Sequence, residues 1–216
     1  MLDVYKIRKD FPILGKKVNN TDLIYFDNAA TSQTPNQVID VISSYYKENN
    51  SNIHRGLHSL SADATNKYEN SRSVIKNHFG AAHEHEIIFT SGTTHGINIV
   101  SSGLEKFISS KDELIVSEME HHSNIVPWQM LCEKTGSKLK VIPINDDGTL
   151  DMNEYKSLLT NQVKFVFINH VSNTLGIVNP IKEIVDLAHK NKSKVLIDGA
   201  QGLSLIHISE PTRRHL

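Results

Sequence analysis

From residue 86 onward, short apolar runs alternate with amphipathic helical stretches, and this alternation limits the fold more than any other feature. Residues 86–90 (EIIFT), 114–116, 138–144, 163–168 and 194–197 read as strands. Helical stretches at 97–107, up to about Thr135, at 152–159 and from about Pro180 to Lys190 separate them. Strands joined through helices of this length need right-handed crossovers. The expected fold class is therefore α/β, a mostly parallel sheet with helices on both faces. Ahead of that region, residues 2–11 predict a short amphipathic helix stopped by Pro12, and residues 23–26 a short strand. Residues 35–46 predict a helix with Val38, Val41, Ile42 and Tyr45 on one face. A further helix is expected from Ser61, as its cap, to about Phe79, closed by Gly80.

In an open parallel sheet, ligands sit at the carboxyl ends of the strands, and polar clusters follow several of these runs. Asp198 ends the run Val195-Leu196-Ile197. A carboxylate behind a dry strand is costly unless a cation meets it, although it could equally cap the next turn of helix. Ser91-Gly92-Thr93-Thr94 opens a helix, where hydroxyls and free N–H groups suit a phosphate; such a loop can also serve only as a cap. It follows neither the Walker pattern nor the glycine pattern of dinucleotide domains. His121-His122 offers an imidazole able to stack on a flat ring or move a proton, or a plain surface pair. Asn173 suits a carboxylate or a ring oxygen, or a turn. Ala29 and Ala30, after the 23–26 run, would let backbone approach a ligand closely. His54 and His58 stand four apart, but Gly56 between them and the lack of a further ligand argue against zinc, and no metal site is expected. A phosphate cradle, a stacking imidazole and an acid for a ring nitrogen together are the parts needed to hold pyridoxal 5′-phosphate.

Composition closes off other classes. With 38% hydrophobic and 22% charged residues, the 216-residue chain can build a substantial core. A net charge near −1 gives no reason to expect nucleic acid or an anionic membrane as partner. No apolar run has the length of a membrane span and the N-terminus lacks a signal-peptide core, so a soluble, cytoplasmic protein is expected. The single Cys132 excludes an internal disulfide and fits a reducing compartment. Residues 203–216 (LSLIHISEPTRRHL) have neither period nor caps and resemble the in-frame translation of a sequencing-library adapter. They are read as a non-native tail, with the natural protein longer. The expected organisation is an N-terminal helical segment (1–20), a partial cofactor-binding large domain (21–202) and this tail.

The segments FDNAATSQTP, NIHRGLHSLSADATNKYE, SGTTHGIN, EMEHHSNIVPWQML, INDDGTLDMNEY, HVSNTLGIVNPI and KVLIDGAQ closely resemble the SUF-type (group II) cysteine desulfurases. These are class-V aminotransferase-like, pyridoxal-phosphate-dependent enzymes of fold type I. The resemblance implies that the fold is the fold-type I large domain, incomplete at its C-terminus. It also implies that Asp198 pairs with the pyridinium nitrogen, His121 stacks on the ring as the catalytic histidine and Gln201 bonds the ring hydroxyl oxygen. Thr93 and Thr94 would hold the phosphate. Asn173 would touch the ring oxygen or the substrate carboxylate, close to the backbone of Ala29 and Ala30, with His54 and Arg55 near the entrance. His95 stands where relatives usually carry Glu. The implied reaction converts L-cysteine to L-alanine and passes sulfur to an enzyme cysteine for iron–sulfur cluster assembly. The implied partners are a second copy of the chain and a sulfur-acceptor protein. The family's cofactor-tethering lysine, mobile cysteine and C-terminal arginine have no counterpart here, so this chain alone is expected to be inactive. A selenocysteine lyase, another class-V enzyme, or a non-catalytic α/β module for a phosphate ligand remain alternatives.

Overall fold

A computed structural model describes residues 3–203, and the chain divides into two compact units, Met1–Ile88 and Phe89–Leu216. Of the tail read as non-native, all but Leu203 lies outside the described residues.

In the first unit Asp3 caps α1 (Val4–Arg8), its Oδ1 accepting the N–H of Lys6 at 3.0 Å. β1 (Lys17–Val18) and β2 (Thr21–Asp22) pair antiparallel around Asn19 and Asn20. Both asparagines sit at positive φ (50° and 63°), as a tight hairpin turn requires. The strand expected at residues 23–26 does not form. Ile24 and Phe26 are exposed, and extended backbone becomes a strand only where a neighbour completes the ladder. α2 (Asn36–Ser44) runs into a π turn, Tyr45–Asn49. α3 (Ser59–His78) begins ahead of Ser61, because His58 is the cap: its Nδ1 accepts the N–H of Ser61 at 3.3 Å. Ser61 instead faces inward, its Oγ donating to the carbonyl of Asn52 (2.9 Å) and accepting from Gly56 N (3.1 Å).

The second unit is built on a four-stranded parallel sheet in the order β4-β3-β5-β6. The strands are β3 (Glu113–Ser117), β4 (Lys138–Ile142), β5 (Val163–Asn169) and β6 (Lys194–Asp198). The strand expected at 86–90 is absent. A 3-10 turn (Glu84–Glu86) gives way to backbone with no ladder partner, and Ile88 is 70% exposed. The helices are α4 (Thr93–Leu104), α5 (Val126–Thr135), α6 (Met152–Leu158) and α7 (Ile181–Lys190).

Strand alternation sends successive side chains to opposite faces, and two cores result. On one face Leu114, Val116 and Phe167 meet Ile97 of α4 and Trp128, Leu131 and Cys132 of α5. On the other, Ile115, Ile142, Val166 and Ile168 meet Tyr155 of α6 and Ile181, Ile184, Val185 and Ala188 of α7. Each fully buried aliphatic side chain contributes about 1.5–3 kcal/mol, so the helices are held mainly by these faces. Trp128 lies flat on Phe167, ring centroids 3.5 Å apart, and Tyr155 donates its buried hydroxyl to the carbonyl of Ile184 at 3.0 Å.

The strand order places the site. β3 leads through α5 to β4 on one side, whereas its neighbour β5 leads through α7 to β6 on the other. The loops leaving β3 and β5 therefore part in opposite directions over opposite faces. Such a switch point opens a crevice at the carboxyl edge of the sheet.

Candidate functional site

β6 delivers Asp198 to that edge, in register with Asn169 of β5 and only 6% exposed. Its carbonyl accepts from His170 N (2.8 Å) and its Oδ1 from Ala200 N (2.9 Å), so the side chain does cap the turn that follows. Among the described residues, Oδ2 meets no protein donor and no cation pairs with the group. A buried carboxylate in that state has the chemistry to receive a cationic N–H donor.

His121 follows β3 on the other lip of the crevice. Its Nδ1 accepts from Ser123 N (3.1 Å) and lies 2.8 Å from Ser123 Oγ, capping the 3-10 turn His122–Asn124. That acceptor role assigns the neutral ring's proton to Nε2 and leaves the exposed ring available for stacking.

Thr93 and Thr94 are the first residues of α4, entered through Gly92 at φ +130°, a conformation that favours glycine. Among the described residues no side chain caps this helix. Its first-turn N–H groups and the two exposed hydroxyls form a set suited to a phosphate. His95 folds back on the loop, its Nδ1 accepting from Ser91 N at 3.2 Å and lying 3.0 Å from Ser91 Oγ. α4 packs against the 122–124 turn and α5, where Ser101 Oγ donates to the carbonyl of Pro127 (3.1 Å).

Gln201 is half-buried just past Asp198. Asn173 is exposed at the tip of a loop closed by the Val171–Val178 bridge and by Ser172 N donating to Ile177 O (3.0 Å). Thr93, Thr94, His121, Asn173, Asp198 and Gln201 thus all belong to the second unit. Among the described residues, no hydrogen bond joins Thr93, Thr94, His121 or Asp198 to another of that set. Ala29 and Ala30 lie in an exposed turn of the first unit, where the Tyr25 hydroxyl donates to the carbonyls of Asp27 (3.1 Å) and Thr31 (2.7 Å). His54, also in the first unit, has φ +64° and its Nε2 lies 3.2 Å from Glu69 Oε1. Arg72 donates its Nε to the other oxygen of Glu69 at 2.9 Å.

Sequence reasoning passed over the groups behind these strand ends. Glu120, 7% exposed, accepts from Ser117 Oγ (2.5 Å), Asn169 N (2.9 Å) and Asn124 Nδ2 (2.7 Å). Burial pushes its carboxyl up to about 7 against the pull of these donors, with the charge of Asp198 adding to the rise. Burial also pulls His170 below the usual imidazole value. The available signal was an acid directly between Met119, which is also buried, and His121, but a Glu in a polar loop reads as solvated.

A four-stranded parallel sheet with helices on both faces and a buried acid at the end of β6 defines an α/β domain. The chain belongs to the class-V aminotransferase family, whose model matches residues 24–210. It is 45% identical over 203 residues to a cysteine desulfurase of Synechococcus elongatus, covering 94% of this chain and 32% of the relative. It is 45% identical over 204 residues to a cysteine desulfurase of Escherichia coli, covering 94% of this chain and 50% of the relative. Among solved structures, the apo cysteine desulfurase of Thermococcus onnurineus NA1 aligns with a TM-score of 0.84 at 36% identity, over 92% of this chain and 48% of that one. The cysteine desulfurase CsdA of Escherichia coli aligns at 0.80 and 29% identity, over 94% and 50%. The chain therefore spans a third to a half of the length of these curated relatives. No helix among the described residues is long and apolar enough to cross a membrane.

Proposed function

We propose that this chain is the cofactor-binding part of a SUF-type cysteine desulfurase, and that its crevice holds pyridoxal 5′-phosphate. The observation that carries the reading is Asp198: a buried strand-end carboxylate with one oxygen unmet by any described donor, in a chain whose relatives are cysteine desulfurases. Asp198 keeps the ring nitrogen protonated by pairing with its N–H. His121 would stack on the ring, held in place by Ser123. Thr93, Thr94 and the first-turn N–H groups of α4 bind the phosphate, and Gln201 bonds the ring hydroxyl oxygen. Asn173 orients the substrate carboxylate. When bound, the cofactor supplies an electron sink for breaking the C–S bond of L-cysteine, which leaves L-alanine.

The sulfur needs a thiol acceptor, and Cys132 is not that group. It is the chain's one cysteine, it is buried in α5, and burial pushes its thiol up. The acceptor cysteine and the cofactor-tethering lysine belong to parts of the enzyme beyond this chain. The 216 residues alone turn over no cysteine. The intact enzyme works as a homodimer and hands sulfur to an acceptor protein of iron–sulfur assembly.

Titration with pyridoxal phosphate, followed by absorbance and set against a plain nucleotide, tests the reading. Wild type binds the cofactor in preference to the nucleotide, and Asp198→Ala loses roughly 10- to 100-fold in affinity, the worth of one charge-assisted hydrogen bond. Equal affinity for the two ligands, or an Asp198→Ala chain that binds the cofactor as wild type does, would sink it.

A further inference from the structure

At the switch point the loops after β3 and β5 diverge, and the N–H of Asn169 bonds to Glu120 Oε1 rather than to a strand carbonyl. The same oxygen takes the hydroxyl of Ser117 at the end of β3, and Oε2 takes the amide of Asn124 in the turn after His121. Asn124 Oδ1 in turn accepts from Trp128 Nε1 at 3.0 Å. Asn169 donates its Nδ2 to the carbonyl of Met119 (3.1 Å) and accepts from Asn179 Nδ2 (2.7 Å). One carboxyl group thus joins the end of β3, the turn beside His121 and the end of β5, where Asn169 is the register partner of Asp198.

Among the described residues no Lys or Arg pairs with Glu120. The titratable groups around it are Asp198 from β6, His170 next to Asn169 after β5, and Glu118, His121 and His122 on its own loop. Ser117, Asn124, Asn169, Asn179 and Trp128 are neutral.

We propose that Glu120 is a positioning residue that ties the His121 turn to the Asp198 strand end, and that it releases its proton to bulk water when a cation neutralises Asp198. The carboxyl titrates near neutrality because burial raises it and the negative charge of Asp198 raises it further. Pairing Asp198 with a cation removes that repulsion, so Glu120 ionises at a lower pH and a larger fraction of it is charged at neutrality. A charged Glu120 is also the stronger acceptor for its three donors, so the clamp tightens as the site fills. The proton coupling to a ligand rests on the reading of Asp198 as the partner of a cationic ring; the coupling between the two carboxyl groups does not.

Trp128 is the chain's only tryptophan and is linked to Glu120 through Asn124, so its emission reports the charge on that carboxyl. In the ligand-free 216-residue chain, emission followed from pH 5 to 9 shows a step near pH 7. Glu120→Gln loses the step, and Asp198→Asn moves it to lower pH. A step that survives at the same pH in Glu120→Gln belongs to a histidine and overturns the proposal. An unmoved step in Asp198→Asn overturns it as well, and decides the matter if Glu120→Gln does not fold. Added pyridoxal phosphate, its binding followed separately by absorbance, moves the wild-type step to lower pH. Binding without that movement overturns the proton release. Failure to bind refutes the cofactor reading instead, and leaves the clamp to be judged on the ligand-free result.

Discussion

Replacing Glu120 with glutamine changes how stability depends on pH, and the size of the change follows from the site. In the unfolded chain this carboxyl is ordinary and titrates near 4.5, while in the fold burial holds it at about 7. Below the lower value it is protonated in both states, and above the higher value ionised in both. Between them the folded state keeps a proton that the unfolded state has lost, so stability falls as pH rises through this window. A gap of about 2.5 between the two values, at about 1.4 kcal/mol per pH unit, makes the total loss about 3 kcal/mol. His170 works in the opposite sense: its lowered value favours the folded state as pH rises toward the ordinary imidazole value of 6.5. Its contribution is common to wild type and variant and cancels in their difference. Urea unfolding followed by Trp128 fluorescence at several pH values from 4.5 to 8 gives both curves. Glutamine cannot ionise, so the stability of Glu120→Gln relative to wild type rises by about 3 kcal/mol across that range. A difference that stays flat with pH, whatever its absolute value, refutes the reasoning.

The phosphate cradle and the packing around the site give further tests. Replacing Thr93 and Thr94 together with valine removes two hydroxyl donors, at about 1 kcal/mol each, and weakens pyridoxal phosphate by roughly 30-fold in an absorbance titration. Pyridoxal without its phosphate binds the double variant as it binds wild type, and an equal loss for both ligands would contradict the assignment. Gly202→Ala puts a methyl onto Nδ1 and 2.8 Å from Cβ of the buried His170. Such overpacking costs about 1–3 kcal/mol, so the thermal midpoint drops measurably; an unchanged midpoint shows that His170 can move aside. Borohydride treatment of the chain with pyridoxal phosphate traps no stoichiometric adduct on any one lysine, as peptide mapping by mass spectrometry would show. A single fully modified lysine counts against the proposal that the tether lies beyond this chain.

The alternation in the sequence was enough for the architecture where strands could find partners. β3 to β6 lie where apolar runs ended in polar clusters, and residues such as Leu114 and Ile115 point to opposite cores because period-2 alternation leaves no other choice. The runs at 23–26 and 86–90 have the same apolar character, yet remain without a ladder, since strand formation depends on a neighbour that local sequence does not specify. The start of α3 was misplaced for a related reason. Serine is the commoner cap, but Ser61 is drawn inward by Asn52 and Gly56, and His58 takes over. At the crevice, Asp198 was legible because an acid ending a buried run is conspicuous. Glu120 was not, because what distinguishes it is three donors from separate elements, and only the register of β3 against β5 brings those together.

The placement of helices on both faces of the sheet has a consequence for how this site tolerates damage. The lip bearing His121 leads into α5, whose footing is Trp128 and Leu131 beneath one side, whereas the lip bearing His170 and Asn173 leads into α7 and rests on Ile181, Ile184 and Val185 on the other. A hollow carved under Leu131 would slacken the first jaw and leave the second firm, and one carved under Ile184 would do the reverse. The two jaws stand on separate foundations and are braced across the gap by Glu120.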